Sequence, residues 1–236
     1  MFARIFCVVF SICVVGNTIA QDRPPGVHPS YVSVQMRGDP IDGPSALNTI
    51  CGGVVINEAK RLISTSWHCV PNVRALIEKP GVFTVGGVDA KLVAYAAEAD
   101  KALFQVSDLR GRKAVKFATP KKGDIVRGSA YYDEFPVVVP MSDRYMPQVS
   151  IKVTLDWEGK VNAVATASRR GGERGDQVTV TPFKWIVVNG TVAPGFSGGP
   201  FFDISGNYVG NVSNVNGGFT NVSSSENDLI LMRSVK

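Results

Sequence analysis

Gly195-Phe196-Ser197-Gly198-Gly199-Pro200 places a small hydroxyl inside a run of glycines. Glycine accepts positive φ and lets backbone N–H groups approach a ligand with no Cβ in the way. A serine held there can attack a carbonyl while the amides of Gly195 and Ser197 face the oxyanion that forms. The same run also reads as ordinary turn chemistry. A serine nucleophile needs a base, and the chain has two histidines, His28 and His68. His28 lies in a proline-rich stretch near the start. His68 lies in Ser64-Thr65-Ser66-Trp67-His68-Cys69, just after the apolar pair Leu62-Ile63. The third group needed is a buried carboxylate to orient the imidazole. Asp100 precedes the apolar run Ala102-Leu103-Phe104-Gln105-Val106, and Asp89 is the alternative in the same interval.

Four motifs then occur in order: Cys51-Gly52-Gly53-Val54-Val55-Ile56, Thr65-Ser66-Trp67-His68-Cys69, Asp100-Lys101-Ala102-Leu103 and Gly195-Phe196-Ser197-Gly198-Gly199-Pro200. This series resembles the trypsin-like (chymotrypsin-clan) serine peptidases, and the order His, Asp, Ser is that clan's order. The likeness extends from Tyr31 to about Val215. It implies His68 as base, Asp100 as its orienting carboxylate, Ser197 as nucleophile, and the Gly195 and Ser197 amides as oxyanion hole. Asp100 fits the family's Asp-x-Ala-Leu pattern and Asp89 does not. The resemblance further implies that Ser213 supports the aspartate. It places Asn214 and Val215 along the substrate wall, and Thr191 at the floor of the primary pocket. Cys51 and Cys69 occupy matching family positions, which implies a disulfide. That bridge would close a loop of about 18 residues, worth roughly 3 kcal/mol.

Three features depart from the activated trypsins. Phe196 stands where those enzymes carry an aspartate, Thr191 stands where they carry another, and no Ile-Val-Gly-Gly-like start is visible. The Ala193-Pro194-Gly195 lead-in is closer to the compact bacterial and viral branch of the clan.

The elements that must position these residues read as strands. Short apolar runs recur at the spacing of an all-β barrel or sandwich: Tyr31–Met36, Val54–Ile56, Leu62–Ser64, Val82–Val85, Leu92–Tyr95 and Leu103–Val106. A polar connection from Ser107 to Lys122 follows. A second set runs through Asp124–Val126, Phe135–Val139, Ser150–Leu155, Val161–Ala167, Val178–Val180, Trp185–Val188, Pro200–Asp203 and Tyr208–Ser213. Ser223-Ser224-Ser225-Glu226 reads as a capping box for a terminal helix over Glu226–Val235. The resemblance implies an all-β fold of two six-stranded antiparallel barrels with that short helix. The barrels would occupy residues 31–112 and 113–236.

Residues 1–20 read as a secretory signal peptide. Arg4 precedes an apolar segment that is too short to span a bilayer, and Thr18-Ile19-Ala20 supplies small residues for cleavage. Residues 21–30 read as an extended leader. The expected location is therefore secreted or periplasmic, with no stable membrane insertion after cleavage. Cys7 and Cys13 would leave with the signal. The net charge is +5, and the basic pairs Lys121-Lys122 and Arg169-Arg170 carry no interleaved aromatics. Nucleic acid is therefore not an expected partner. No ligand cluster for a metal is visible, and no cofactor is expected. Asn189, Asn211 and Asn221 head N-glycosylation patterns. Three function classes remain open: a secreted serine endopeptidase working through an acyl-enzyme on peptide or protein substrates, a catalytically inactive peptide- or protein-binding module on the same scaffold, and an esterase.

Overall fold

The computed structural model describes residues 27–36, 50–70, 83–85, 87–138, 148–167 and 182–235. Six strands, β1 (Tyr31–Met36), β2 (Ile50–Asn57), β3 (Leu62–Thr65), β4 (Phe83–Val85), β5 (Val88–Ala96) and β6 (Lys101–Val106), close into one antiparallel barrel in the order β1-β2-β3-β6-β5-β4. Six more, β7 (Ile125–Val138), β8 (Gln148–Ala167), β9 (Phe183–Asn189), β10 (Pro200–Asp203), β11 (Tyr208–Asn216) and β12 (Phe219–Ser224), close into a second in the order β10-β11-β12-β9-β8-β7. Helix α1 (Ser225–Ser234) follows. The expected fold, two six-stranded antiparallel barrels and a short C-terminal helix, is the fold observed.

The apolar runs of β2, β3 and β6 have no polar face because both of their faces are covered. On β2, Cys51 and Val55 point into the barrel while Val54 and Ile56 point toward the second barrel. On β3 and β6 the same division separates Ile63 and Phe104 from Leu62 and Leu103. The outward set packs with Phe183, Phe202, Tyr208 and Leu231 into a core between the barrels and α1. Each large side chain so buried contributes about 1.5–3 kcal/mol. A third cluster, including Val126, Ile186, Phe201 and Val212, fills the second barrel.

Several local expectations are corrected. The runs Asp124–Val126 and Phe135–Val139 fall on one strand, β7, from Ile125 to Val138, and Ser150–Leu155 and Val161–Ala167 belong to one strand, β8. The intervening charged residues continue the ladder, with Arg127 opposite Glu158 and joined to it at 2.7 Å. Strand β12 was not expected at all. The helix cap is Ser224, whose hydroxyl accepts from Glu226 N at 3.3 Å. The Glu226 carboxylate turns instead to Lys184 and Thr119. The connection 107–122 is not merely a polar loop: Val115 N donates to Val55 O and Ala118 N to Tyr208 O, so it laces the two barrels together. The end of the leader is folded as well, with Tyr31 N donating to His28 O and Val27 buried. Residues 1–20, the Val178–Val180 run and the Arg169-Arg170 pair lie outside the described residues.

Candidate active site

His68 sits in a single 3-10 turn, Trp67–Cys69, directly after β3. Both neighbours of the histidine are anchored. Cys69 is bonded to Cys51 of β2, and the Trp67 ring stacks on Tyr95 with the ring centroids 4.1 Å apart. Ser66 Oγ donates to Val212 O at 2.8 Å, which ties this turn to the second barrel. The imidazole itself remains 43% exposed.

Asp100 closes the hairpin between β5 and β6 with φ at 47°, a left-handed conformation that aspartate tolerates better than most residues. Its carboxylate is nearly buried and accepts three hydrogen bonds. His68 N reaches Oδ1 at 2.8 Å, while His68 Nδ1 at 2.8 Å and Ser213 Oγ at 2.5 Å reach Oδ2. Burial pushes the carboxyl's pKa up. The His68 hydrogen bond and charge, with the Ser213 hydroxyl and the His68 amide, outweigh burial and hold it below the ordinary aspartate value. A carboxylate only accepts, so Nδ1 carries the proton and a neutral ring keeps its lone pair on Nε2. Asn214 Nδ2 donates to Ser213 Oγ at 3.2 Å and is itself held through Asn221 at 2.7 Å.

Two tight turns share Phe196, and Ser197 is the second residue of the latter turn. Phe196 N reaches Ala193 O at 3.5 Å, with Pro194 second and Gly195 third at φ 92°. Gly199 N reaches Phe196 O at 2.9 Å, with Ser197 second and Gly198 third at φ 70°. Proline followed by a positive-φ glycine is the residue pattern of a type II turn. Among the described residues neither the Gly195 amide nor the Ser197 amide has an acceptor. The Phe196 ring is 2% exposed and packs in the core of the second barrel. It anchors the turn from below.

The turn is held from both barrels. Gly52 N donates to Ser197 O at 2.8 Å, Gly198 N to Val212 O at 2.8 Å, and Val212 N to Gly199 O at 2.9 Å. A Cβ on Gly198 would lie 2.2 Å from Thr65 Oγ1, so glycine is required there twice over, by space and by φ.

A cleft of ≈ 740 Å³ opens between the barrels. His68, Asp100, Ser197, Ser213, Asn214 and Val215 all line it. Thr191 does not: it is exposed, and its neighbour Val192 lines the wall instead. Asp89 is exposed on β5 opposite Thr84, away from His68. Trp67, Glu98, Trp185 and Val192 also line the cleft and were not singled out from sequence. Trp67 beside His68 and Glu98 just before Asp100 could have been found by adjacency alone. Among the described residues Ser197 Oγ has no hydrogen bond to His68, whose Nε2 lies 3.9 Å from Cys69 Sγ. Among them, too, no group of three His, Cys, Asp or Glu could hold a metal ion.

Residues 51–210 match the family model described as Trypsin-like peptidase domain. The chain belongs to the trypsin-like peptidase family. The fold of this peptidase is shared with solved structures. The active form of the Rv3671c protease from M. tuberculosis aligns with a TM-score of 0.61 at 18% identity, covering 89% of this chain and 82% of that one. The inactive form of that protease aligns with a TM-score of 0.58 at 18% identity, covering 89% and 90%. A serine endoprotease from Yersinia pestis aligns with a TM-score of 0.56 at 16% identity, covering 88% of this peptidase and 62% of that chain. No curated protein matches the peptidase by sequence. The disulfide expected from the family positions, Cys51 to Cys69, is present.

Proposed function

We propose that this chain is an exported serine endopeptidase that cleaves peptide bonds through an acyl-enzyme on Ser197. The observation that carries the reading is the chain Ser213–Asp100–His68 in one cleft with Ser197. As Ser197 Oγ attacks the scissile carbonyl carbon, His68 Nε2 takes its proton. The carbonyl oxygen becomes an oxyanion and receives the Gly195 and Ser197 amides, whose hydrogens have no other acceptor among the described residues. The C–N bond then breaks and His68 gives its proton to the leaving amine. Water, deprotonated by His68, attacks the resulting ester and releases the acid and free Ser197. Asp100 holds the imidazole's orientation and stabilises the imidazolium throughout.

The substrate is an extended peptide lying along Ser213-Asn214-Val215 by strand addition. The primary pocket is walled by Val192, Ala193, Val212 and Val215, with no charged group among these four. Small or medium uncharged P1 side chains, such as Ala, Val or Thr, suit it. Residues 1–20 direct export, and cleavage after Ala20 leaves Gln21 as the new N-terminus.

One observation favours a second reading, a non-catalytic peptide-binding module: the missing hydrogen bond between Ser197 Oγ and His68. Such bonds are commonly long without substrate and tighten as it binds, so the intact Asp100–His68 pair weighs more. A peptide library incubated with the wild type and with Ser197→Ala separates the two. Cleavage after small uncharged residues by the wild type alone is expected. Binding without cleavage by both proteins supports the module.

A further inference from the structure

Lys101 follows Asp100 in sequence and is completely buried, a position almost never given to lysine without a partner. Its ammonium has three hydrogens and three acceptors: Asp228 Oδ2 at 2.7 Å, the Tyr208 hydroxyl at 2.8 Å and Asn211 Oδ1 at 2.5 Å. Ser64 Oγ lies 2.6 Å from Asp228 Oδ1 and 2.8 Å from Asn211 Oδ1. The Tyr208 hydroxyl also reaches Asp228 Oδ2 at 2.8 Å. Ser64, Lys101, Tyr208, Asn211 and Asp228 are all at 0% exposure. They come from β3, β6, β11 and α1, so the cluster joins both barrels to the helix.

Net stability is a poor reason for this cluster, because a buried ion pair often contributes no more than apolar residues of like size. Its effect on Asn211 is directional. A carboxamide can present either end to a neighbour. Here the Lys101 ammonium and the Ser64 hydroxyl occupy the Oδ1 side, which turns Nδ2 the other way. Nδ2 donates to Gly198 O at 2.6 Å, one residue after Ser197. The mechanism above leaves all five side chains unused.

We propose that the Lys101–Asp228 pair is a positioning element for Ser197: it fixes the Asn211 carboxamide, which clamps the Gly198 carbonyl and so sets the nucleophile's turn. Seating of the C-terminal helix is thereby coupled to the reactivity of Ser197, and Asp100 shares the anchor through its bond to Lys101. The proposal rests on the reading of Ser197 as nucleophile. Lys101 touches no reacting atom and acts only through Asn211.

Three variants of the exported chain test it, each checked for cooperative thermal unfolding. Lys101→Met combined with Asp228→Leu removes the charges while filling the space. Asn211→Ala removes the clamp and leaves the pair. Glu226→Ala removes the half-buried ion pair between α1 and Lys184, 2.6 Å long, and leaves Asp228 on Lys101 and the Asn211 clamp in place. The first two should each lower kcat by roughly 10²-fold, the scale of a misplacement of about 1 Å, with KM little changed. Their rates of labelling by a fluorophosphonate should fall in parallel, and Glu226→Ala should behave as wild type. Wild-type kcat in folded Asn211→Ala overturns the proposal, as does a rise in KM with kcat unchanged. If the double variant does not fold, Asn211→Ala decides. A wild-type protein inert to the fluorophosphonate defeats the peptidase reading itself. A wild type and Asn211→Ala that label equally fast defeat only the positioning role.

Discussion

The amide of Gly52 donates to the carbonyl of Ser197 across the junction of the two barrels, at 2.8 Å. Next to Gly52 in the chain is Cys51, bonded to Cys69, which follows His68. One short strand therefore holds the Ser197 backbone and, through the disulfide, the segment that carries His68. The contact is close enough to exclude a side chain: a Cβ on Gly52 would lie 2.5 Å from Gly199 Cα. Gly52→Ala should therefore push the Ser197 turn away from His68. The expected cost is about 1–3 kcal/mol of stability and about 10²-fold in turnover. Thermal unfolding and hydrolysis of a small P1 peptide measure both. Wild-type turnover in this variant would mean that the junction does not set the turn.

Asp100 accepts from His68 twice and from Ser213 once. Asp100→Asn should lower turnover by about 10⁴-fold, because an amide can present a donor to Nδ1 and favour the wrong tautomer. Asp89→Asn, at an exposed site, should change nothing measurable; the reverse pattern would reassign the carboxylate. The pair also has a pH signature. A carboxyl held below its ordinary value in the folded chain stabilises it above the ordinary aspartate range. That contribution is lost as pH falls through the lowered value. Asp100→Asn lacks it, so its unfolding temperature should drop less steeply than the wild type's between about pH 5 and pH 2. Parallel curves would contradict the assignment.

The strands that surround the cleft were legible because each apolar run is short and bounded by turn residues. β12 was not. Its sequence, Phe219-Thr220-Asn221-Val222-Ser223-Ser224, carries buried Thr220 and Ser223, whose hydroxyls donate to Gly190 O and Ala99 O. Those partners are far away in sequence, so nothing local marks the run as a buried strand, and Ser223-Ser224 read only as the start of a helix capping box. β8 was split because Asp156, Glu158 and Lys160 interrupt its apolar pattern, although they continue an exposed ladder opposite Ser129, Arg127 and Ile125. At the site, His68, Asp100, Ser197 and Ser213 could be picked out because each sits in a short local motif. Lys101 and Asn211 could not: their meaning depends on Asp228, which only the folded chain brings to them. Asn211 also heads a sequon, and its complete burial rules out a glycan there in the folded chain.

Phe196 bears on activation. Trypsin-type zymogens order this turn by pairing a liberated N-terminus with an aspartate beside the nucleophile. Phe196 is instead buried among apolar residues of the second barrel and offers an ammonium no partner. Residues 21–236 with an acetylated N-terminus should therefore be as active as the free form, counted by active-site titration. Activity that arises only after further N-terminal trimming would refute this.

Val215 projects on the cleft wall with 49% of its surface exposed. Val215→Gly removes a branched side chain from the proposed path of P1 and should extend cleavage to large residues such as Phe. A peptide-library profile measures the change. A wild-type profile dominated by Arg or Lys at P1 would contradict the assignment of P1 to the wall of Val192, Ala193, Val212 and Val215.

The most direct measurement is a fluorophosphonate reaction followed by mass spectrometry of the digested protein. One phosphonyl adduct per chain is expected, on Ser197. It should be absent from Ser197→Ala and slowed by several orders of magnitude in His68→Ala, since the hydroxyl is a weak nucleophile without its base. An unlabelled wild type, or an adduct on any other residue, would contradict Ser197 as the nucleophile.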